Sequence, residues 1–401
     1  MRKLSLWVNQ RLPISAFYKQ HFKRFYVHTS LNFWYATGAI AFLVFAIQIF
    51  TGIFLMMYYI PTEDQAFSSV EMIMRDVNYG WLIRYMHVVG ASSFFIIIYL
   101  HVWKALMYGS YKEPRELLWF SGVLVLILLM AVAFTGYVLP WGQMSYWASK
   151  VIISFVTVIP YVGESLAIWL QGDFTFSGVV IPRFYAYHVV ALPLIIIFLI
   201  GIHIIALHVV GSNNPEGILI NPHQQPKKHE RSAIRPFSPY YIVKDYFAAT
   251  VFLLIYFLII FYFPTLNGFF LEHINQEPAN MFVTPAQIHP VWYLAPYSSI
   301  LRAVPSKGLG VFVMFAAILI FFFLPWLDRS PVRSIRYKGI LSKLFLSLFL
   351  ISVIGLGVLG LLKVTDDGLI LTRIFTCGYF SYFLFMPFYT KLEKCTSPPC
   401  L

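Results

Sequence analysis

The sequence predicts an all-α polytopic membrane protein of eight transmembrane helices, the first four forming a four-helix bundle, with amphipathic surface helices in the loops of one side. Two observations carry this. Of 401 residues, 59% are hydrophobic and only 11% are charged, whereas soluble domains are about half apolar and about one quarter charged. Several apolar stretches also exceed the roughly 20 residues that cross about 30 Å of hydrocarbon as a helix, the form that pairs its own backbone groups.

The chain opens with a basic segment, residues 1–30, whose apolar residues are too scattered for the core of a cleavable signal; it is expected to lie along the membrane surface. Spans are expected at 33–58, 81–108, 117–139, 184–209, 246–264, 308–326, 340–362 and 369–390. The first four fall in a unit over 31–235 and the rest in a unit over 236–401. Basic residues cluster before the first span, between spans four and five (Lys227, Lys228, Arg231, Arg235) and between six and seven (Arg329, Arg333, Arg336, Lys338). Those loops, with both termini, are therefore expected in the cytoplasm. Opposite loops carry Glu63, Asp64, Glu71, Asp76, Glu272 and Glu277. This sidedness accounts for the net charge of +12 without a nucleic-acid partner. Cys377, Cys395 and Cys400 come too late in the chain for a disulfide framework or a Cys-based haem attachment.

Two outer connections, Pro140 to Arg183 and Pro264 to Lys307, run to about forty residues where loops of about 4–6 are usual. Gln143 to Ile159 reads as helical and Thr284 to Arg302 as Pro-rich, and both are amphipathic enough to lie on the membrane face. Loops of this length commonly carry function, the plain alternative being packing lids.

Span two contains His87 and His101, and span four contains His188 and His203. A single intramembrane histidine is often only a hydrogen-bonded packing residue. Here the spacings of 14 and 15 residues are about 3.9 and 4.2 helical turns, which puts each pair near one helix face about 21–22 Å apart. Spans two and four run in the same direction, so His87 matches His188 in depth and His101 matches His203. Each matched pair can hold one haem iron from both sides, leaving no open position and favouring electron transfer. Two non-covalent b-type haems stacked across the membrane are the expected cofactors. Gly38 and Gly52 in span one, and Gly122 and Gly136 in span three, are also 14 apart and allow close approach to a flat macrocycle. Arg84, Lys104 and Arg183 lie near the histidines as propionate partners, or as ordinary interfacial anchors.

The run from Asn78 to Tyr111, NYGWLIRYMHVVGASSFFIIIYLHVWKALMYGSY, with GYVLPWGQMSYWA from Gly136, RFYAYH from Arg183, HVVGSNNP from His208 and RPFSPYYIVKD from Arg235, resembles the cytochrome b subunit of quinol–cytochrome c oxidoreductases. The likeness covers nearly the whole chain, in the unsplit proteobacterial and mitochondrial form. The spacing of His188 and His203 is one residue longer than the mitochondrial pattern, and a kink at Pro193 or a local bulge can absorb it.

The resemblance implies quinol oxidation at an outer site. One electron goes to a Rieske iron–sulfur protein, and the other crosses through an outer low-potential haem (His87, His188) and an inner high-potential haem (His101, His203) to an inner quinone site, in a proton-translocating Q cycle. It also implies a membrane-anchored c-type cytochrome and a dimeric complex, in a bacterial inner membrane or alternatively a mitochondrial one. At the inner end His208 and Ser212 suit a quinone carbonyl, Asn213 a carbonyl or a propionate, and Lys244 with Asp245 a proton donor. At the outer end Tyr137, Tyr146, Trp292 and Tyr293 remain. The family's P-E-W-Y is here Pro290-Val291-Trp292-Tyr293, however, so the carboxylate is missing. A tyrosine usual further along is Ser298, with Tyr297 displaced by one, and Ala148 stands where glycine is usual. Proton exit is expected through water with His289, Tyr297 or Ser298, histidine being the side chain that changes charge near neutral pH. A dihaem anchor of another dehydrogenase, or a transporter with proton-relaying histidines, are the rival readings. Visible absorption separates the transporter.

Overall fold

The computed structural model describes residues 2–12, 15 and 24–399. The expected surface segment over 1–30 thus falls partly outside the described residues, as does Cys400. Its described beginning is a helix, Arg2–Arg11. Its end does not simply lie on a surface: Tyr26–His28 forms a two-stranded antiparallel ribbon with Ile234–Pro236, and Phe25 and Val27 are buried. A ribbon this short has little stability of its own, and Tyr241 secures it by donating to the His28 carbonyl at 3.0 Å.

Seven described helices are long and apolar enough to cross a membrane: Phe33–Met56, Gly80–Tyr108, Glu116–Val138, Val180–Val210, Tyr240–Tyr262, Lys307–Leu327 and Ile340–Leu361. The eighth span is not the single helix expected over 369–390. Asp366–Leu384 and Met386–Leu392 meet at 56°, because Pro387 at the start of the second piece cannot continue the hydrogen-bond ladder of the first. Span five begins six residues before its expected start at 246, since Pro239 stands where a helix can begin and Tyr240 to Asp245 continue it despite their polarity. Within span four, Tyr187–Ala191 is π-helical. A π turn takes up one extra residue, which brings His203 back onto the face of His188 in spite of the 15-residue spacing.

Spans one and two pack against each other along their length, and so do spans three and four; span five leans on the first pair. The last three spans close around the short helix Ala295–Ala303 of the second long loop. Ile300, Phe349, Leu356, Tyr379 and Phe383 form their buried centre.

Hydrogen bonds join the basic loops into one face. Tyr26 N donates to Pro222 O at 2.8 Å and Thr396 N to Tyr337 O at 2.9 Å, and Arg336 pairs with Glu216 at 2.7 Å. Tyr26 and Thr396 thereby tie the strand Tyr26–His28 and the described C-terminal residues to this face. On the opposite, loop face, Gln143–Val156 does not simply rest on a membrane surface. Gln143, Met144, Ser145 and Tyr146 are buried, and the two long loops interlock where Gln143 N donates to Glu277 O at 2.9 Å and Ser145 N to Asn275 Oδ1 at 2.8 Å.

Candidate functional site

The four span histidines face one another across the gap between the two helix pairs. Ring centroids of His87 and His188 are 6.0 Å apart, and those of His101 and His203 are 6.5 Å apart. One metal bonded at about 2.0 Å to a nitrogen of each ring, each nitrogen about 1.2 Å from its ring centre, calls for a separation of about 6.4 Å. Both pairs fit a single ion held between two imidazoles.

Each ring is also oriented from behind. Thr51 Oγ1 lies 2.9 Å from His87 Nδ1, Thr37 Oγ1 3.2 Å from His101 Nδ1 and Ser121 Oγ 3.0 Å from His203 Nδ1. These hydroxyls donate their own protons to Ile47, Trp34 and Leu118 carbonyls one turn back, so their oxygens accept from the imidazole. His188 Nδ1 lies 2.8 Å from the Val132 carbonyl and donates to it. The proton therefore sits on Nδ1 in all four rings, and Nε2 is left free as a ligand.

The glycines serve the rings themselves. A Cβ on Gly38 would come within 3.3 Å of His101 Cε1, on Gly52 within 3.4 Å of His87 Cε1, on Gly122 within 3.1 Å of His203 Cε1, and on Gly136 within 2.3 Å of His188 Cε1. Thr37, Thr51 and Ser121 were missed by sequence reasoning although the signal was present: each of the four glycines follows a Ser or Thr.

At the basic face a cavity of about 900 Å³ adjoins His101 and His203. Lys104, Asn213, His208, Ser212, Lys244 and Asp245 all line it. So does Arg115, unforeseen from the sequence, whose Nε donates to Gly211 O at 3.1 Å. Arg115 Nη1, Ser212 Oγ and Asn213 Oδ1 are buried without a hydrogen-bond partner, a costly condition that fits a site for an acidic or carbonyl-bearing group. Lys104 is buried over the Tyr35 ring, its Nζ 4.8 Å from the centroid. Lys244 is exposed beside Tyr241. His208 meets Phe25 edge-on at 5.2 Å.

The loop-face end is packed with aromatic rings. Tyr293 stacks on Phe95 at 3.9 Å, and Trp292 donates to Ser92 Oγ at 3.2 Å while stacking on Phe269. Tyr297 packs between this cluster and the centre of the last three spans; Ser298 is half-buried on the same short helix. Val291 turns into the apolar cluster around Tyr293. Tyr146 donates to Phe176 O at 3.3 Å. Arg84 is half-buried in span two, whereas Arg183 is exposed, its guanidinium donating to the Trp169 carbonyl in the outer loop.

Tyr137 donates at 2.6 Å to Oε2 of Glu272, whose Oε1 lies 3.4 Å from His289 Nδ1. Burial raises the Glu272 pKa above the ordinary carboxylate value, with the Tyr137 hydrogen bond and the His289 charge opposing it. From the sequence Glu272 read only as an outer-loop acid. No periodicity marks a loop position, and its partner Tyr137 is 135 residues away in the chain.

Paired imidazoles at two depths, each with one nitrogen freed as a ligand, define the class: a helical membrane protein that holds a metal-centred prosthetic group between two helix pairs. Residues 22–211 match the family model for cytochrome b/b6/petB, and residues 278–380 match that for the cytochrome b C-terminal, b6/petD part. The chain is 49% identical to a cytochrome b of Allochromatium vinosum over 98% of its own length and 96% of that protein. It is 47% identical to a cytochrome b of Rickettsia prowazekii over 97% and 94%. A solved chain described as hyperthermophilic respiratory complex III superposes with a TM-score of 0.90 at 34% identity, covering 96% of this chain and 98% of that one. The chain belongs to the cytochrome b family, in the unsplit form found in respiratory complex III; it is a haem-binding subunit of a multisubunit membrane complex.

Proposed function

We propose that this chain oxidises quinol at the loop face and reduces quinone at the basic face, passing an electron between them and contributing to proton translocation in a Q cycle. The observation that carries the reading is the pair of imidazole clamps at two depths, with centroid separations of 6.0 and 6.5 Å. His87 and His188 would hold one haem, and His101 and His203 the other. Haem held there would supply reversible one-electron chemistry. Lys104, Arg115 and Asn213 would hold its acidic groups at the basic face, and Arg84 would do so at the other end. Ser212 and His208 orient a quinone carbonyl, and Asp245 with Lys244 delivers protons from the cytoplasmic side. Tyr137, Trp292, Tyr293, Tyr297, Ser298 and His289 shape the quinol end.

Quinol oxidation releases electrons singly, so a Rieske iron–sulfur protein receives the other electron, with a membrane-anchored c-type cytochrome beyond it, in a dimeric complex. The 15-residue spacing of His188 and His203, one longer than the mitochondrial pattern, favours a bacterial inner membrane, and the basic loops favour both termini in the cytoplasm. A redox titration of the visible spectrum, comparing the parent with His101→Ala, tests the reading. Two b-type components, one lost in the variant, are expected; a parent with one component, or a variant that keeps both, overturns the ligand assignment.

A further inference from the structure

The loop-face motif has Val291 after its proline, where the family pattern it resembles usually has a carboxylate, and Val291 is turned into the apolar packing around Tyr293. A carboxylate is nevertheless present, brought in by the second long loop. Glu272 Oε2 accepts from Tyr137 at 2.6 Å, and Oε1 faces His289 at 3.4 Å. The Glu272 side chain is 12% exposed and that of His289 26%, so the three groups lead outward from span three toward the surface. Tyr293 is the further titratable group that senses Glu272. None of these neighbours is a lysine or arginine, so nothing holds the carboxylate permanently ionised.

We propose that Glu272 is the proton acceptor of the quinol end, relaying through Tyr137 and discharging through His289 in place of the carboxylate missing at residue 291. The proposal rests on the assignment of quinol oxidation to this end. The quinol O–H bond breaks and its proton joins the Tyr137 oxygen, while the Tyr137 proton crosses to Glu272 Oε2. Tyr137 stays neutral, and Glu272 becomes the acid. The quinol loses two protons with its two electrons: one proton takes this route, the other leaves with the electron that goes to the iron–sulfur partner, and the second electron would pass to the group held by His87 and His188. His289 then takes the proton from Glu272 and releases it to water. Burial, which favours the neutral carboxyl, suits Glu272 to pick up a proton and give it back.

The test uses the assembled complex in membranes and follows cytochrome c reduction by a short-chain benzoquinol as a function of pH. Glu272→Gln is expected to keep both haem bands but to turn over at least about tenfold more slowly with an altered pH profile. Adding Val291→Glu to that variant should restore turnover. A Glu272→Gln complex with the parent's rate and profile overturns the proposal. So does a slow variant that keeps the parent's profile and is not rescued, since that behaviour marks a packing role. If Glu272→Gln does not assemble, Glu272→Asp decides: it keeps the charge but withdraws it from Tyr137, so slower turnover with a shifted profile supports the relay and unchanged turnover overturns it. A parent complex with intact haems that does not reduce cytochrome c defeats the functional assignment itself, an outcome distinct from any behaviour of the variants.

Discussion

Asp328 on the basic face and Glu272 on the loop face are both largely withdrawn from solvent, and the two are handled in opposite ways. On the basic face Asp328 lies 2.5 Å from Lys338 and 3.2 Å from Lys112, and it accepts from Tyr111 at 2.7 Å. On the loop face Glu272 meets a phenol and an imidazole but no ammonium or guanidinium among the described residues. Burial pushes both carboxyls up. At Asp328 the two ammonium groups overcome it and hold the pKa below the ordinary value; at Glu272 burial prevails and the pKa is raised. A buried acid saturated with cations is a clamp, and the same group given neutral partners can exchange protons. Asp328 ties the loop between spans six and seven to the loop between two and three, so its work is structural.

The largest expected effect follows from that contrast. Asp328→Asn leaves two lysines without their counter-ion and should cost on the order of 3–5 kcal/mol, read as a lower thermal midpoint for loss of haem absorbance in detergent. Because the folded pKa is depressed, Asp328 contributes fully above the unfolded carboxylate value of about 3.9, and the contribution is lost as pH falls through the lower folded value. Glu272 has the opposite sign. Its raised pKa disfavours the folded ionised form, so Glu272→Gln should leave the midpoint at neutral pH unchanged or higher while slowing turnover. Equal loss of stability in both variants would erase the distinction.

A second contrast separates the two histidine pairs. Gly136→Ala places a methyl 2.3 Å from the His188 ring, whereas Gly38→Ala places one 3.3 Å from the His101 ring. The first cannot be accommodated without moving the imidazole and should remove the loop-face haem at an overpacking cost of about 1–3 kcal/mol. The second asks for a few tenths of an ångström and should leave both haems bound. Haem content by pyridine haemochrome, two per chain against one, distinguishes the variants.

How much of this could be read in advance depends on the distance over which each signal acts. The spans were legible because hydrophobicity accumulates over about 20 residues. The span-two histidines and the glycines were legible because a helix converts a shared 14-residue period into a shared face, whereas the 15-residue spacing of span four needs its π turn to do the same. The bend at Phe385 was hidden by apolar continuity across Pro387, although the proline was there to be read. Gly38, Gly52, Gly122 and Gly136 were noticed without the hydroxyl residue before each, since Ser and Thr in a helix commonly satisfy themselves by bonding back one turn. Here they do that and accept from an imidazole as well. Proximity in sequence to His188 says nothing of the Arg183 rotamer; here the side chain bonds to Trp169. Arg115 and Glu272 sit in loops, where only the folded chain reveals partners 96 and 135 residues away.

The smallest expected effect lies behind the rings. His87, His101 and His203 donate to side-chain hydroxyls, but His188 donates to the Val132 backbone carbonyl, which no substitution can delete. An acceptor at Nδ1–H makes the imidazole a more basic ligand and stabilises the oxidised metal. Thr51→Val removes the acceptor of His87 and should raise the potential of the loop-face haem alone, with about tenfold weaker haem retention at most. Thr37→Val should do the same to the basic-face haem alone. Thr135 stands before Gly136 just as the others stand before their glycines, yet its hydroxyl bonds to the Ala131 and Val132 carbonyls. Thr135→Val should therefore shift the loop-face potential less than Thr51→Val. A potentiometric titration that resolves the two spectral components checks all three variants. A Thr51→Val shift divided between both components, or matched by Thr135→Val, would show that these hydroxyls govern helix packing and not the electronics of the ligand.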